Sequence, residues 1–295
     1  MFNSFEDCFT LSNGVKVPCI GYGTWQTPSG EVTKNCVKNA IAAGYRHIDT
    51  AAVYGNEEDV GRGIAESGVQ RDKIFLATKH WIMERGYTKT IAAAEESLKR
   101  LGTDYIDLYL VHWPCTEKSS PQWEEINAAT WRGFEKLYKD GKIRAIGVSN
   151  FLPEHISALE KTAGIKPMVN QIECHPGYHQ PELVRWSLAH GMAVEGWSPL
   201  GSGAVLKSPQ LIKTAQKYGK STAQICVRFC LQLGVIPLPK STDAGRIAAN
   251  RDVFDFTLSD EDMTALMTMP ITGYSTYHPA EAPADTLFGG NYEID

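Results

Sequence analysis

The sequence lacks any Cys-x-x-Cys, any long apolar run and any complete Gly-x-Gly-x-x-Gly, and each absence removes a class of protein. Its seven cysteines (8, 19, 36, 115, 174, 226 and 230) are odd in number and scattered. That fits reduced thiols better than a disulfide framework or a structural zinc. The opening MFNSFEDCFT is neither basic nor followed by an apolar stretch. No signal peptide or membrane anchor is therefore expected, and a cytoplasmic location is. Positive charge is also in deficit: 29 Lys and Arg stand against 34 Asp and Glu, a net charge of −5. An acidic surface gains nothing electrostatically from a polyanion, so neither nucleic acid nor an anionic membrane is an expected partner. No shift of composition marks a linker within the 295 residues, which suffice for one large domain with a sizeable core.

What is present is a repeat of strand and helix. Phe9-Thr10-Leu11-Ser12-Asn13-Gly14-Val15-Lys16-Val17 comes first, two alternating runs joined by Asn-Gly. Both turn residues tolerate positive φ, so this predicts a hairpin. Strands are then predicted at 19–23, 46–49, 74–78, 105–112, 143–149, 168–172, 193–197 and 235–238. Helices are predicted between them at 30–43, 56–67, 88–101, 124–140, 153–163, 180–190, 221–233 and 243–250, with another near 259–267. Pro153 and Pro181 suit first-turn positions, where a missing N–H costs nothing. Asn56, Thr88 and Ser221 are predicted N-caps. Eight strands alternating with eight or nine helices predict one α/β domain over 1–295. A closed (β/α)8 barrel is preferred, with the hairpin at 1–17 as a plug. The rival open, doubly wound sheet needs a phosphate turn that Gly21-Tyr-Gly23-Thr-Trp-Gln26 does not complete.

The chain is organised around residues 44–61, GYRHIDTAAVYGNEEDVG, where Asp49 ends a predicted strand and Tyr54 hangs in the loop behind it. In a barrel, reactive groups collect at the C-terminal ends of strands. Those tips carry, in order, Trp25, Asp49 with Tyr54, Lys79, His112 with Trp113, Ser149-Asn150, Gln171, Trp197-Ser198 and Lys240-Ser241. Singly each has a bland reading: a core histidine, a surface lysine, a helix cap, a packing tyrosine. Their order on consecutive tips argues for a site.

Asp49-Thr50-Ala51-x-x-Tyr54, Lys79 and Leu110-Val111-His112-Trp113-Pro114 resemble the catalytic tetrad motifs of the aldo-keto reductases. Gly147-Val148-Ser149-Asn150-Phe151, Asn170-Gln171-Ile172-Glu173-Cys174-His175-Pro176, Ser198-Pro199-Leu200-Gly201 and Pro239-Lys240-Ser241 match further signatures of that family, from residue 14 to about 267. The resemblance is to prokaryotic-type aldehyde and 2,5-diketo-gluconate reductases. It implies an NADPH-dependent oxidoreductase acting on CH–OH groups, reducing small aldehydes, dicarbonyls and keto sugars as a monomer. Tyr54 is then the general acid. Its free pKa is about 10, and the Lys79 ammonium is expected to lower it. Asp49 pairs with Lys79, and His112 donates to or orients the carbonyl oxygen.

The resemblance further implies that Gly23, Thr24, Trp25 and Asp49 border the cofactor. Ser149, Asn150 and Gln171 hold the nicotinamide carboxamide, and Trp197 stacks on the ring. Ser198, Leu200 and Ser202 meet the pyrophosphate. Lys240, Ser241, Thr242, Arg246 and Asn250 surround the adenosine 2′-phosphate, which favours NADPH over NADH. Trp25, Tyr54, Trp81, His112 and Trp113 wall the substrate, and the tail at 271–295 is expected over the mouth. His80, where many relatives carry Leu, is expected to alter pocket polarity. Residues 116–123 resemble an insertion that either rims the mouth or forms a solvated loop. Ala249 replaces the acid that many relatives use to hold the adenine amino group. No acid follows Gly201-Ser202 to latch over the cofactor toward Lys240, which implies quick cofactor exchange. Two other readings stay in view: a non-catalytic NADPH-binding regulatory module of the same fold, and a metal-dependent hydrolase using His47, Asp49, His112 or Cys174, His175, His179. The second has no paired-ligand spacing behind it, and no metal is expected.

Overall fold

Gly14 takes φ +84° and reverses the chain between β1 (Cys8–Thr10) and β2 (Lys16–Pro18). This antiparallel pair opens the computed structural model, which describes residues 2–271 and 278–281. Leu11 and Val17 are buried, and Asn13 Nδ2 donates to the backbone oxygen of Arg144 at 2.9 Å. Arg144 lies just before a barrel strand, so the hairpin plugs the N-terminal end.

Eight parallel strands follow, each paired with the next in sequence: β3 (Tyr22–Gly23), β4 (His47–Asp49), β5 (Phe75–His80), β6 (Leu108–Val111), β7 (Ile146–Ser149), β8 (Val169–Glu173), β9 (Ala193–Trp197) and β10 (Val235–Pro237). The ends of this sheet meet. Gly21 N–H donates to Pro237 O at 3.0 Å and Gly23 N–H to Pro239 O at 3.1 Å, closing a (β/α)8 barrel. Strands covered on both faces read as near-continuous apolar runs, and Leu108-Tyr109-Leu110-Val111 is buried throughout.

The surrounding helices are α1 (Glu31–Ala42), α2 (Glu57–Ala65), α3 (Tyr87–Leu101), α4 (Trp123–Lys139), α5 (Pro153–Glu160), α6 (Pro181–Ala189), α7 (Pro209–Tyr218), α8 (Thr222–Gln232), α9 (Ala244–Arg251) and α10 (Asp260–Met267). Each turns a buried face inward; in α3 it is Thr90, Ala94, Ser97, Leu98 and Leu101. No described helix is long and apolar enough to cross a membrane.

Several expectations need correction. The strand predicted at 19–23 shortens to Tyr22–Gly23 because Cys19 N–H turns to Asp7 O. Thr88 lies inside α3, whose N-cap position is Gly86. Asn56 occupies the N-cap position of α2 without capping it. Its side chain is instead buried, accepting from Thr50 Oγ1 at 2.8 Å and donating to Thr24 O at 3.2 Å. Ser221 does cap α8, in a reciprocal box with Gln224. Helix α7 was not predicted, although Ser208-Pro209 and Gly219 bracket a stripe of Leu211, Thr214 and Ala215.

The barrel seam leaves no room at Gly21. A β-carbon there would stand 2.5 Å from Leu238 Cδ2 and 2.8 Å from His47 Nδ1. We expect Gly21→Ala to lower the free energy of unfolding by about 1–3 kcal/mol. Urea titration checks this, and an unchanged midpoint would contradict it.

Candidate active site

The last residue of β4 and the last but one of β5 face each other inside the barrel. Lys79 Nζ lies 2.7 Å from Asp49 Oδ1 and donates also to Thr50 O at 2.8 Å. The two side chains are 1 % and 5 % exposed, so the charges neutralise each other out of water. Burial by itself would lower the Lys79 pKa, but Asp49 and then Tyr54 hold it above its ordinary value.

Tyr54 ends a 3₁₀ turn, Ala52–Tyr54, and Gly55 in the left-handed region turns the chain away behind it. The Lys79 ammonium stands 5.1 Å from the Tyr54 ring centroid. It pulls the phenol pKa down, as expected, but burial outweighs it and the phenol sits above its ordinary value. His112, one residue beyond β6, meets Tyr54 edge-on at 5.7 Å and Trp81 at 5.2 Å. Burial, then Lys79 and His80, hold His112 well below the usual imidazole range. It is therefore neutral at pH 7, with one donor and one acceptor nitrogen.

Beside these groups lies a network of amides. Gln171 Nε2 donates to Asp49 Oδ2 at 3.0 Å and to Glu195 Oε2 at 2.8 Å. Both amide hydrogens are thereby taken, and Gln171 can offer a ligand only its acceptor, Oε1. Asn150, at φ +62°, is used in a similar way. Its Nδ2 donates to His112 O at 2.9 Å and Ser149 Oγ at 3.2 Å, while Oδ1 accepts from Trp197 Nε1 at 3.0 Å. Ser149 Oγ donates to Gln171 O at 2.9 Å. What these three side chains leave for a ligand is acceptor capacity, which fits the NH₂ of a carboxamide. The Trp197 plane is fixed by its bond to Asn150 and by an edge contact with Trp25 at 6.0 Å.

These groups open into a cavity of about 840 Å³. All five expected substrate residues line it: Trp25, Tyr54, Trp81, His112 and Trp113. Gly23, Asp49, Ser149, Asn150 and Gln171 form its inner part. Trp197, Ser198, Leu200, Ser202, Lys240 and Arg246, all partly or fully exposed, complete its lining nearer solvent. Lys79 lies behind Asp49 and Tyr54 and is not a wall residue.

Other expected residues are placed elsewhere. Thr24 is buried with Oγ1 donating to Asp49 O at 3.0 Å, so it braces the strand tip and does not line the cavity. Ser241, Thr242 and Asn250 are also absent from the lining. Ser241 Oγ accepts from Asp243 N–H at 3.1 Å, and Asn250 is buried in α9. Asp243 caps α9 by accepting from Arg246 N–H at 2.8 Å, which offsets the basic start of that helix. The expectation for His80 fails. Its side chain alternates away from the barrel interior to pack near Tyr109 and Phe134, with Nε2 2.6 Å from Glu84 O. No residue of 116–123 lines the cavity. The tail expected over the mouth falls, apart from 271 and 278–281, outside the described residues.

Two contributors escaped the sequence reading. Gln26, at φ +57°, accepts from Lys240 Nζ through its backbone oxygen at 2.9 Å, tying together the loops that follow β3 and β10. A main-chain acceptor leaves no trace in sequence. Glu195 does leave one, as an acid within the otherwise apolar strand Ala193–Trp197. Among the described residues no three His, Cys, Asp or Glu side chains gather as metal ligands. Asp49 is engaged by Lys79, and His175 by Glu173 and Pro176 O.

The family model described as Aldo/keto reductase family matches residues 19–269. Glyoxal reductase of Bacillus subtilis (strain 168) is 50 % identical over 263 residues, covering 89 % of this chain and 92 % of that protein. The crystal structure of an aldo/keto reductase from Brucella melitensis has a TM-score of 0.84 at 44 % identity, covering 90 % of this chain and 98 % of that one. A Bombyx mori aldo-keto reductase in complex with NADP has a TM-score of 0.86 at 38 % identity, covering 93 % and 96 %.

The buried pair makes a stability test possible. Asp49→Asn leaves the Lys79 ammonium without its counter-charge, and we expect a loss of about 3–5 kcal/mol. Adding Lys79→Met should recover part of that loss, because no charge is then stranded. Denaturant titration of Asp49→Asn, Lys79→Met and the double variant decides the matter. Simple additivity would show that the pair does not act as a unit.

Proposed function

The chain belongs to the aldo/keto reductase family, and on that premise we propose that it reduces small aldehydes, dicarbonyls and keto sugars to alcohols with NADPH, Tyr54 delivering the proton. The reading takes the chain to act as a cytoplasmic monomer. The observation that carries it is the buried Lys79–Asp49 pair set behind Tyr54, where that phenol meets a cavity walled by tryptophans. The Bacillus subtilis relative named for glyoxal supports dicarbonyls as substrates.

When bound, NADPH supplies a hydride to the carbonyl carbon. Tyr54, protonated at neutral pH, gives its proton to the oxygen as negative charge develops there. The phenolate left behind is stabilised by the Lys79 ammonium, which Asp49 in turn keeps charged. Neutral His112 can donate one N–H to the same oxygen and so orient the carbonyl. Trp25, Trp81 and Trp113 exclude water and favour apolar substituents. The acceptors of Ser149, Asn150 and Gln171 take the carboxamide NH₂, and Trp197 presents an aromatic face to the ring. Lys240 and Arg246 give two cations to the 2′-phosphate, which is why NADPH is preferred in this reading.

Tyr54→Phe should lower kcat by about 10²–10⁴-fold with small aldehydes and glyoxal while NADPH still binds. NADPH oxidation followed optically tests this, and equal turnover in the two proteins would remove Tyr54 from the reaction. NADPH binding without turnover in the unaltered chain would favour the regulatory-module reading. Arg246→Ala should raise KM for NADPH about tenfold with little change for NADH; equal effects on both would remove Arg246 from the 2′-phosphate. With no acid latch after Ser202, stopped-flow release of the cofactor should be faster than kcat, and slower release would contradict the open-latch reading.

A further inference from the structure

Glu195 lies in the middle of β9 and is wholly shielded from solvent, as is His47 of β4. Glu195 Oε1 stands 3.5 Å from His47 Nε2, and among the described residues neither atom has a hydrogen-bond partner. Two such orphans facing each other in a dry interior call for a proton between them. The charge count places that proton on the carboxyl and leaves Nε2 to accept it. Asp49 and Glu195 both accept from one amide nitrogen, and among the described residues Lys79 is the one cation facing them. With both acids ionised, a net negative charge would be left in the barrel core. The adjoining residues of β10 are Val235, Ile236 and Pro237, none of which titrates.

We propose that Glu195 is a positioning residue that shares a proton with His47 and thereby holds the Gln171 amide with both hydrogens turned away from the cofactor and Oε1 offered to it. Burial, then the Asp49 charge, pushes the Glu195 carboxyl up to about 8. Burial, then Lys79, pulls His47 down to about 3, so the imidazole is a neutral acceptor. The proton accordingly rests on Glu195 at neutral pH and is lost as pH rises through about 8. Loss of that proton places a new negative charge beneath the nicotinamide site. Such a charge favours the cationic ring of NADP⁺ over the neutral ring of NADPH. The phosphates are common to both forms, so the ratio of their affinities isolates the charge near the ring. This half of the proposal rests on the function proposed above; the shared proton does not.

The test uses the full chain and its Glu195→Gln and Glu195→Leu variants. Infrared spectra should show a protonated-carboxyl band in the unaltered chain that disappears as pH passes about 8 and is missing from Glu195→Gln. Over the same range the ratio of NADP⁺ to NADPH affinity should rise by about tenfold in the unaltered chain, and Glu195→Gln should abolish that rise. Glu195→Leu should bind NADPH more weakly than Glu195→Gln, because only the latter can still accept from Gln171. A band that is absent, or that survives in Glu195→Gln, overturns the shared proton. A pH-independent ratio in the unaltered chain, or the same rise in Glu195→Gln, overturns the link to the cofactor. If neither nucleotide binds, the function proposed above falls, and the band alone upholds or overturns the proton.

Discussion

An ammonium and a carboxylate held 2.7 Å apart, each almost without solvent, set the terms for everything around them. Removing either charge from water costs several kcal/mol before any pairing is counted. That cost is offset only where the remaining donors and acceptors are also satisfied. Thr50 O takes a second Lys79 hydrogen, and Gln171 Nε2 binds the second Asp49 oxygen. The pair then acts on its neighbours through the low dielectric it occupies. It contributes to keeping His112 neutral, and its lysine opposes the burial that would otherwise hold the Tyr54 proton more tightly still. A second carboxyl close by, that of Glu195, is pushed toward its protonated form by burial and by Asp49.

The same logic runs outward along the cavity. Near the floor, polar side chains spend their donors within the protein and leave acceptors facing in: Asn150 donates to His112 O and to Ser149 Oγ, and Trp197 donates to Asn150 Oδ1. Farther out the charge becomes positive, with Lys240 and Arg246 on the lining. One end therefore suits an amide and the other a phosphate, a division that matches the long, asymmetric shape of a dinucleotide. Lys240 also reaches Gln26 O, so a main-chain tie holds the loops after β3 and β10 together beside it.

Much of the arrangement was legible in advance, for identifiable reasons. The order of strands and helices could be read because parallel strands covered on both faces are continuously apolar and each helix shows one inward stripe. The candidate side chains come together because barrel geometry gathers strand ends: Asp49, Lys79 and His112 stand at or beside three successive ends, and Tyr54 lies in the turn after the first. Where the reading failed at single residues, a tertiary partner or the strand's own alternation had intervened. Asn56 gives up capping for Thr24 and Thr50, Thr24 is drawn onto Asp49 O, and His80 alternates away from the site its neighbours Lys79 and Trp81 serve. Helix α7 was missed despite a local signal, since Ser208-Pro209 and Gly219 bracket it.

By itself the sequence determined the alternation of elements, the hairpin at Asn13-Gly14 and the residue types at the strand tips. These depend on local propensity, apolar periodicity and turn chemistry, which act over a few residues. Tertiary structure decided the state of each group. Tyr54 lies above its ordinary pKa, although the lysine beside it pulls the other way, because burial is a property of the whole fold. Gln171 presents only its oxygen because two acids, on β4 and β9, claim its nitrogen. Protonation and hydrogen-bond direction depend on distances between residues far apart in the chain, and those distances exist only once the barrel has closed.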